Sequence, residues 1–292
     1  MTRAYNVVDA DGHILEPLDL WSLYIDPAFR DRAPRIVMGN NGKERLVIEE
    51  HTVGDGRLGI GRIGAVGARQ GVVEADTMAY KDGKPGGFDP HKRIPDMDAD
   101  GIDAAFLYPS LGLFSGAIHD PELAAATCRA YNRWLADYCK PYPDRLFGVA
   151  MLPMQDVDQA IKEMTFARKE LGMKGGFLRP NPYNDRLIHD PVYEPFWSAA
   201  EDLDFSIGFH EGASAGMPQV GRRGAAPRTG LSRAVDRSPR RRYRQPSGVG
   251  GFATDPQIRI DRGAATEPAI RRLYDGADCS GGSDFRLTRP DL

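Results

Sequence analysis

Five short apolar runs constrain this chain more than any other feature. They cover residues 5–11, 103–108, 146–152, 174–178 and 205–209. From the second run onward they alternate with stretches of helical spacing. Asp120-Pro121 supplies a cap and a first-turn proline, and Ala124, Cys128, Tyr131, Leu135 and Tyr138 follow as one stripe until Pro141 and Pro143. That stripe reads as core. Val157, Ile161, Met164, Arg168 and Leu171 form the next helix, stopped by Gly172, and Asp190-Pro191 opens another that carries Phe196, Trp197 and Ala200. Short apolar strands alternating with helices predict an α/β fold with a parallel sheet and crossover helices. Such folds place their chemistry at the C-terminal ends of the strands.

The segment between the first and second runs is less regular. Residues 15–25 predict a short helical approach starting near Pro17 and Asp19. Residues 35–48 predict a β-hairpin, with Asn41-Gly42 suited to a tight primed turn. Residues 53–88 read as a long glycine-rich loop, and 89–100 as a helix closed by Gly101. Gly59, Gly61 and Gly64 match a GxGxxG pattern formally. Neither the strand before nor the helix after that a dinucleotide fingerprint needs is expected here, since Gly67 and Gly71 follow.

No apolar run approaches the roughly 20 residues that span a bilayer, and Arg3, Asp9, Asp11 and Glu16 are unlike a secretion signal. Cys128, Cys139 and Cys279 have no framework spacing, so the reading is a cytoplasmic protein.

The strand ends collect the residues with chemistry. The first offers Asp11 and His13, which share a face with Asp9 if the strand stays extended. The second offers Ser110, with His119 in its loop. The fourth offers Arg179 and Asn181, and the fifth His210 and Glu211. If the sheet curves into a barrel, Asp11, His13 and His210 meet at one mouth as candidate ligands to a divalent metal. Arg179 is a candidate clamp for a substrate carboxylate, because a guanidinium matches its fork; the competing reading is a surface or loop salt bridge. His119 and His189 each precede an Asp-Pro helix start and read as loop residues.

Several of these stretches, in order, resemble the amidohydrolase superfamily, in its branch around aminocarboxymuconate-semialdehyde decarboxylase and γ-resorcylate decarboxylase. They are Asp9-Ala10-Asp11-Gly12-His13-Ile14-Leu15-Glu16-Pro17, residues 96–103 with 106–110, residues 142–148, residues 190–197 and Gly208-Phe209-His210-Glu211-Gly212. The likeness covers residues 5–220. It implies a metal-dependent (β/α)8 TIM barrel, with Asp11 and His13 at the first-strand ligand positions and His210 as the fifth-strand ligand. It also implies zinc or manganese, a small aromatic or conjugated carboxylic acid as substrate, and a homodimer as a possible assembly. The implied reaction is carboxy-lyase chemistry. A metal-dependent hydrolase of an ester, lactone or amide is the alternative.

Residues 221–292 break the pattern. They carry 15 Arg, no Lys and 8 acids, a net charge of +7 against −10 for residues 1–220. They lack His, Met, Trp and Asn, and Leu, Ile, Val and Phe supply only 11 of the 72 residues. So low an apolar content with strong net charge predicts disorder. The family's sixth-strand histidine and eighth-strand aspartate are not apparent. Phe252-Ala253-Thr254-Asp255 and Gly282-Ser283-Asp284-Phe285 look like the aspartate motif but are poorly spaced for three more βα units. The expectation is a barrel lineage cut after five strands near Val220-Gly221, followed by an out-of-frame tail. A chain of that kind would be poorly stable and weakly active or inactive. A genuine basic tail, with its cluster at 237–244, would instead suggest a non-enzymatic nucleic-acid-binding protein, an unlikely partner class given the lack of aromatic interleaving.

Overall fold

The computed structural model describes residues 5–53, 59–64 and 78–210. Five parallel strands form one sheet in chain order: β1 (Val8–His13), β5 (Ala104–Tyr108), β6 (Leu146–Met151), β7 (Gly175–Leu178) and β8 (Ser206–Phe209). A three-stranded antiparallel sheet stands apart from it, made of β2 (Arg35–Met38), β3 (Glu44–Ile48) and β4 (His51–Val53). The longer helices are α1 (Leu20–Tyr24), α2 (Pro90–Ala99), α3 (Pro121–Cys139), α4 (Val157–Lys169) and α5 (Glu194–Asp202). All five expected strands and the helices between them are present. The expected tail, the cluster at 237–244, Asp255, Asp284, Cys279 and Glu211 lie outside the described residues.

Sequential strands lie side by side, which is the connectivity of a sheet that closes on itself. Laid flat, four inter-strand steps of about 4.8 Å would hold β1 and β8 roughly 19 Å apart. Instead the His13 ring, at the end of β1, lies with its centroid 4.9 Å from that of His210, which follows β8. The sheet is curled into a half-barrel. Its outer face packs on the helices: a Cβ at Gly148 would meet Leu135 of α3 at 2.9 Å. Its inner face carries the opposite parity, and Phe106 stacks on Phe147 there at 5.3 Å between centroids.

Helix α3 is the main support. Asp120 accepts from the Glu122 and Leu123 N–H groups, and Ala124, Cys128, Tyr131, Leu135 and Tyr138 are all buried. Asn132 of α3 brackets Met151 of β6: its amide donates to the Met151 carbonyl at 2.9 Å, and its oxygen accepts from the Met151 N–H at 2.8 Å. The same amide donates to buried Glu163 of α4, which also accepts from Arg129 at 2.6 Å. Asn132→Ala therefore strands a buried N–H and a buried carbonyl, each costing about 1–3 kcal/mol. Urea unfolding is expected to show a loss of about 3 kcal/mol.

Three local expectations need correction. Met38 pairs with Glu44, so the hairpin closes through five residues, and only Gly42 takes positive φ (72°). The chain adds β4 at the edge of the expected loop, taking its first residue, Val53, because Leu46 and Val47 find partners in Val53 and Thr52. Gly61–Gly64 forms one helical turn rather than open loop. A Cβ at Gly61 would stand 1.7 Å from the Met78 carbonyl, and one at Gly64 2.6 Å from that of Tyr80. These glycines admit a crossing backbone, which is a packing reason for the pattern. Gly67 and Gly71 lie outside the described residues.

Candidate metal centre

Strand β1 is built around an irregularity. Asp9 pairs with Ala105 and Gly12 with Leu107, so β1 spends one more residue than β5 over this interval. The extra residue reverses the parity. Asp9 falls on the outer-face register of Ala105, while His13 pairs with Tyr108 of the inner face. The shared face expected for Asp9, Asp11 and His13 therefore excludes Asp9. Its carboxylate instead accepts from the Asp11 N–H at 3.1 Å.

Asp11, His13 and His210 do come together. Their ligand atoms all lie within 4.8 Å of one another, and no other group of three or more His, Cys, Asp or Glu residues does so among the described residues. His13 Nε2 and His210 Nε2 are 3.1 Å apart. Asp11 Oδ1 is 3.4 Å from His210 Nε2 and 3.9 Å from His13 Nε2. The His13 Nδ1 lies 2.9 Å from the Pro109 carbonyl oxygen. A carbonyl only accepts, so Nδ1 carries the proton and Nε2 presents its lone pair in the neutral ring. A backbone acceptor behind a histidine is also what orients a ligand imidazole. Two ring nitrogens and a carboxylate oxygen form the mixed N/O donor set suited to zinc or manganese, so these residues fit such an ion.

The electrostatics agree. Burial pushes the His13 pKa below its ordinary value of 6.5, more than the Pro109 hydrogen bond and the nearby carboxylates raise it. Burial pushes the Asp11 carboxyl up, but the hydrogen bond from His210 and the charges of His210 and His13 outweigh it and leave it below its usual range. Both groups thus keep their ligand forms to lower pH than free side chains do. Binding of Mn(II) is expected to hold at pH 6.5, where half of a free imidazole is protonated, and to fall only at lower pH. A binding midpoint at or above pH 6.5 would contradict this.

The other strand-end residues sort clearly. Arg179 follows β7 and shares the inward parity of Phe177; it is 1% exposed. That burial speaks against the surface half of the competing reading, leaves the loop salt bridge standing, and pulls the Arg179 pKa down. Its guanidinium donates to Asn181 at 3.2 Å, and its N–H donates to the Tyr183 hydroxyl. The Ser110 hydroxyl donates to the Ile14 carbonyl at 2.7 Å, so it braces two strand exits. His119 sits in a loop beside Asn184, with its N–H on Glu49, and His189 lies in a turn. Glu211 lies outside the described residues.

Two residues escaped the reading of the sequence. Glu16 is completely buried, and its carboxylate accepts from the N–H groups of Ser110, Leu111 and Gly112 at 2.8–3.0 Å. It locks the loop after β1 to the loop after β5. Tyr108 flanks the two histidines, its ring 6.3 Å from His13 and 5.5 Å from His210 between centroids. An acid alone in an apolar stretch, Ile14-Leu15-Glu16, was the signal for the first; the inward parity of Tyr108 with Phe106 was the signal for the second.

A protein-family model described as amidohydrolase matches residues 8–259. Among curated proteins, a γ-resorcylate decarboxylase of Rhizobium radiobacter is 35% identical over 123 residues, covering 40% of this chain and 37% of that protein. A 2-keto-4-carboxy-3-hexenedioate hydratase of a Sphingobium species is 28% identical over 100 residues, covering 33% of this chain and 29% of the relative. The chain thus matches about a third of the length of these relatives. Among solved structures, an amidohydrolase from Mycobacterium avium subsp. paratuberculosis superposes with a TM-score of 0.57 at 23% identity, covering 73% of this chain and 60% of that one.

Proposed function

The chain belongs to the amidohydrolase family, and from that premise we propose that it is a metal-dependent decarboxylase lineage acting on a small aromatic or conjugated carboxylic acid. The observation that carries the reading is the convergence of Asp11, His13 and His210 at the mouth of the half-barrel, beside a buried arginine on the neighbouring strand. The likeness to γ-resorcylate decarboxylase supports the choice of reaction.

In this reading Asp11, His13 and His210 would hold a divalent zinc or manganese ion, and that ion would supply an electrophile for the bound acid. His13 is held for that role by its Nδ1–H on Pro109. Arg179 receives the substrate carboxylate. Its guanidinium is turned by Asn181 and lies on the interior face, one strand over from His210. Tyr108, backed by buried Phe177 at 6.1 Å, gives the planar substrate a wall. The bond from the ring carbon to the carboxylate breaks, CO2 leaves, and the carbon keeps the electron pair and takes a proton.

The test is CO2 release from γ-resorcylate and related acids by the full chain supplied with Mn(II), in water labelled with oxygen-18. Release of CO2 with no label in the organic product supports the reading. Label incorporation without CO2 would favour a hydrolase, or a hydratase like the Sphingobium relative. Arg179→Gln is expected to raise KM about 10- to 100-fold, since a hydrogen bond to a charged group is worth roughly 1.5–3 kcal/mol. A KM unchanged in that variant would remove Arg179 from the role.

A further inference from the structure

The two ligand histidines stand on opposite ends of the sheet. β1 and β8 share no backbone ladder, and three strands lie between them. Some other contact must fix how closely His13 and His210 approach. Tyr108 is placed to do this. It is the register partner of His13 across the β1–β5 ladder. Its ring centroid lies 6.3 Å from that of His13 and 5.5 Å from that of His210, with Phe177 behind it at 6.1 Å. Its hydroxyl reaches across the interior to β8. A Cβ on Gly208 would stand 2.6 Å from the Tyr108 oxygen but 3.6 Å from the carbon that bears it. The first distance is a clash and the second an ordinary contact. Gly208 has the same inward parity as His210, two residues on. The absence of a side chain there is the seat that lets the phenol span the curl.

We propose that Tyr108 and Gly208 form a positioning pair: a crossbar and its seat that set the separation of the His13 and His210 rings and so the affinity of the site for its metal. This rests on the metal-site reading and extends it to residues that do not touch the ion. The seat makes a prediction that a merely structural role does not. Gly208→Ala drives a methyl into the Tyr108 hydroxyl and should spread the two rings. Removing that oxygen as well, in Tyr108→Phe with Gly208→Ala, should restore the fit.

The experiment measures Mn(II) affinity of the full chain by electron paramagnetic resonance, and the Co(II) visible spectrum, for wild type and four variants. Gly208→Ala is expected to bind Mn(II) about 10- to 100-fold more weakly, the range typical of lost orienting contacts, with an altered Co(II) spectrum. The double variant is expected to return to within about 3-fold of wild type, well inside that range. Tyr108→Leu removes the crossbar without adding bulk. It is expected to weaken Mn(II) binding with little change in the melting temperature of the metal-free chain, which keeps the test valid if Gly208→Ala fails to fold. His210→Ala separates the two readings: wild type binding no better than His210→Ala would overturn the metal site and this proposal with it. Wild type binding well, with Gly208→Ala and Tyr108→Leu indistinguishable from it, would overturn the crossbar alone. So would a double variant as weak as Gly208→Ala.

Discussion

Glu16→Ala is expected to lower the unfolding free energy by about 3–6 kcal/mol, because three buried N–H groups lose their acceptor at about 1–3 kcal/mol each. Ser110, Leu111 and Gly112 have turned their N–H groups inward onto this one carboxylate. The Tyr80 hydroxyl also reaches it, at 3.3 Å. No water replaces the carboxylate readily, since Glu16 and Leu111 are essentially sealed and Ser110 nearly so. Against a total stability of about 5–15 kcal/mol, the loss is large enough to melt a marginal chain. Where a folded variant is obtained, its melting temperature should fall by about 10–20 °C. Glu16→Gln is the sharper control. It keeps the size but exchanges one acceptor for an NH2 group, which then faces backbone donors. It is expected to recover only part of the loss. Full stability in either variant would show that the carboxylate does not hold the two loops together.

His210→Ala is expected to weaken Mn(II) binding by on the order of 100-fold or more, beyond the range seen when only an orienting partner is lost. His13→Ala should do the same. Asp11→Ala should cost less, because that carboxylate is 66% exposed. The order His210 and His13 above Asp11 follows from burial. A buried imidazole already arranged at 3.1 Å from its partner pays little to receive an ion, whereas an exposed carboxylate must be ordered first. The three variants should keep the fold of the metal-free chain, since Asp11 and His13 lie at a strand exit rather than in the helical core. Isothermal titration of each full-length variant measures this. Equal affinities across wild type and all three variants would contradict the assignment.

The architecture was legible because its signals are local. Asp-Pro helix starts, a positive-φ glycine after a helix, and buried apolar strands are each written within a few residues, as at Asp120-Pro121 and Gly172. The convergence of Asp11, His13 and His210 was legible because a parallel sheet delivers every strand end to one edge. What the residues alone could not show is non-local. The bulge in β1 depends on how β1 registers with β5, so the face of Asp9 was not readable from period-two alternation. The burial of Arg179 belongs to the loop after β7, where Tyr183 accepts from its backbone N–H and Asn181 from its guanidinium. The reach of Tyr108 to Gly208 depends on the curl of the sheet, which no single strand encodes.

If the curled sheet brings the ends of its first and last described strands to one metal, X-ray absorption at the zinc edge of the full chain, loaded with one equivalent of zinc, will show imidazole scattering from two histidines, falling to one in His210→Ala. A shell of oxygen atoms without imidazole scattering, or a spectrum unchanged by that substitution, would contradict it.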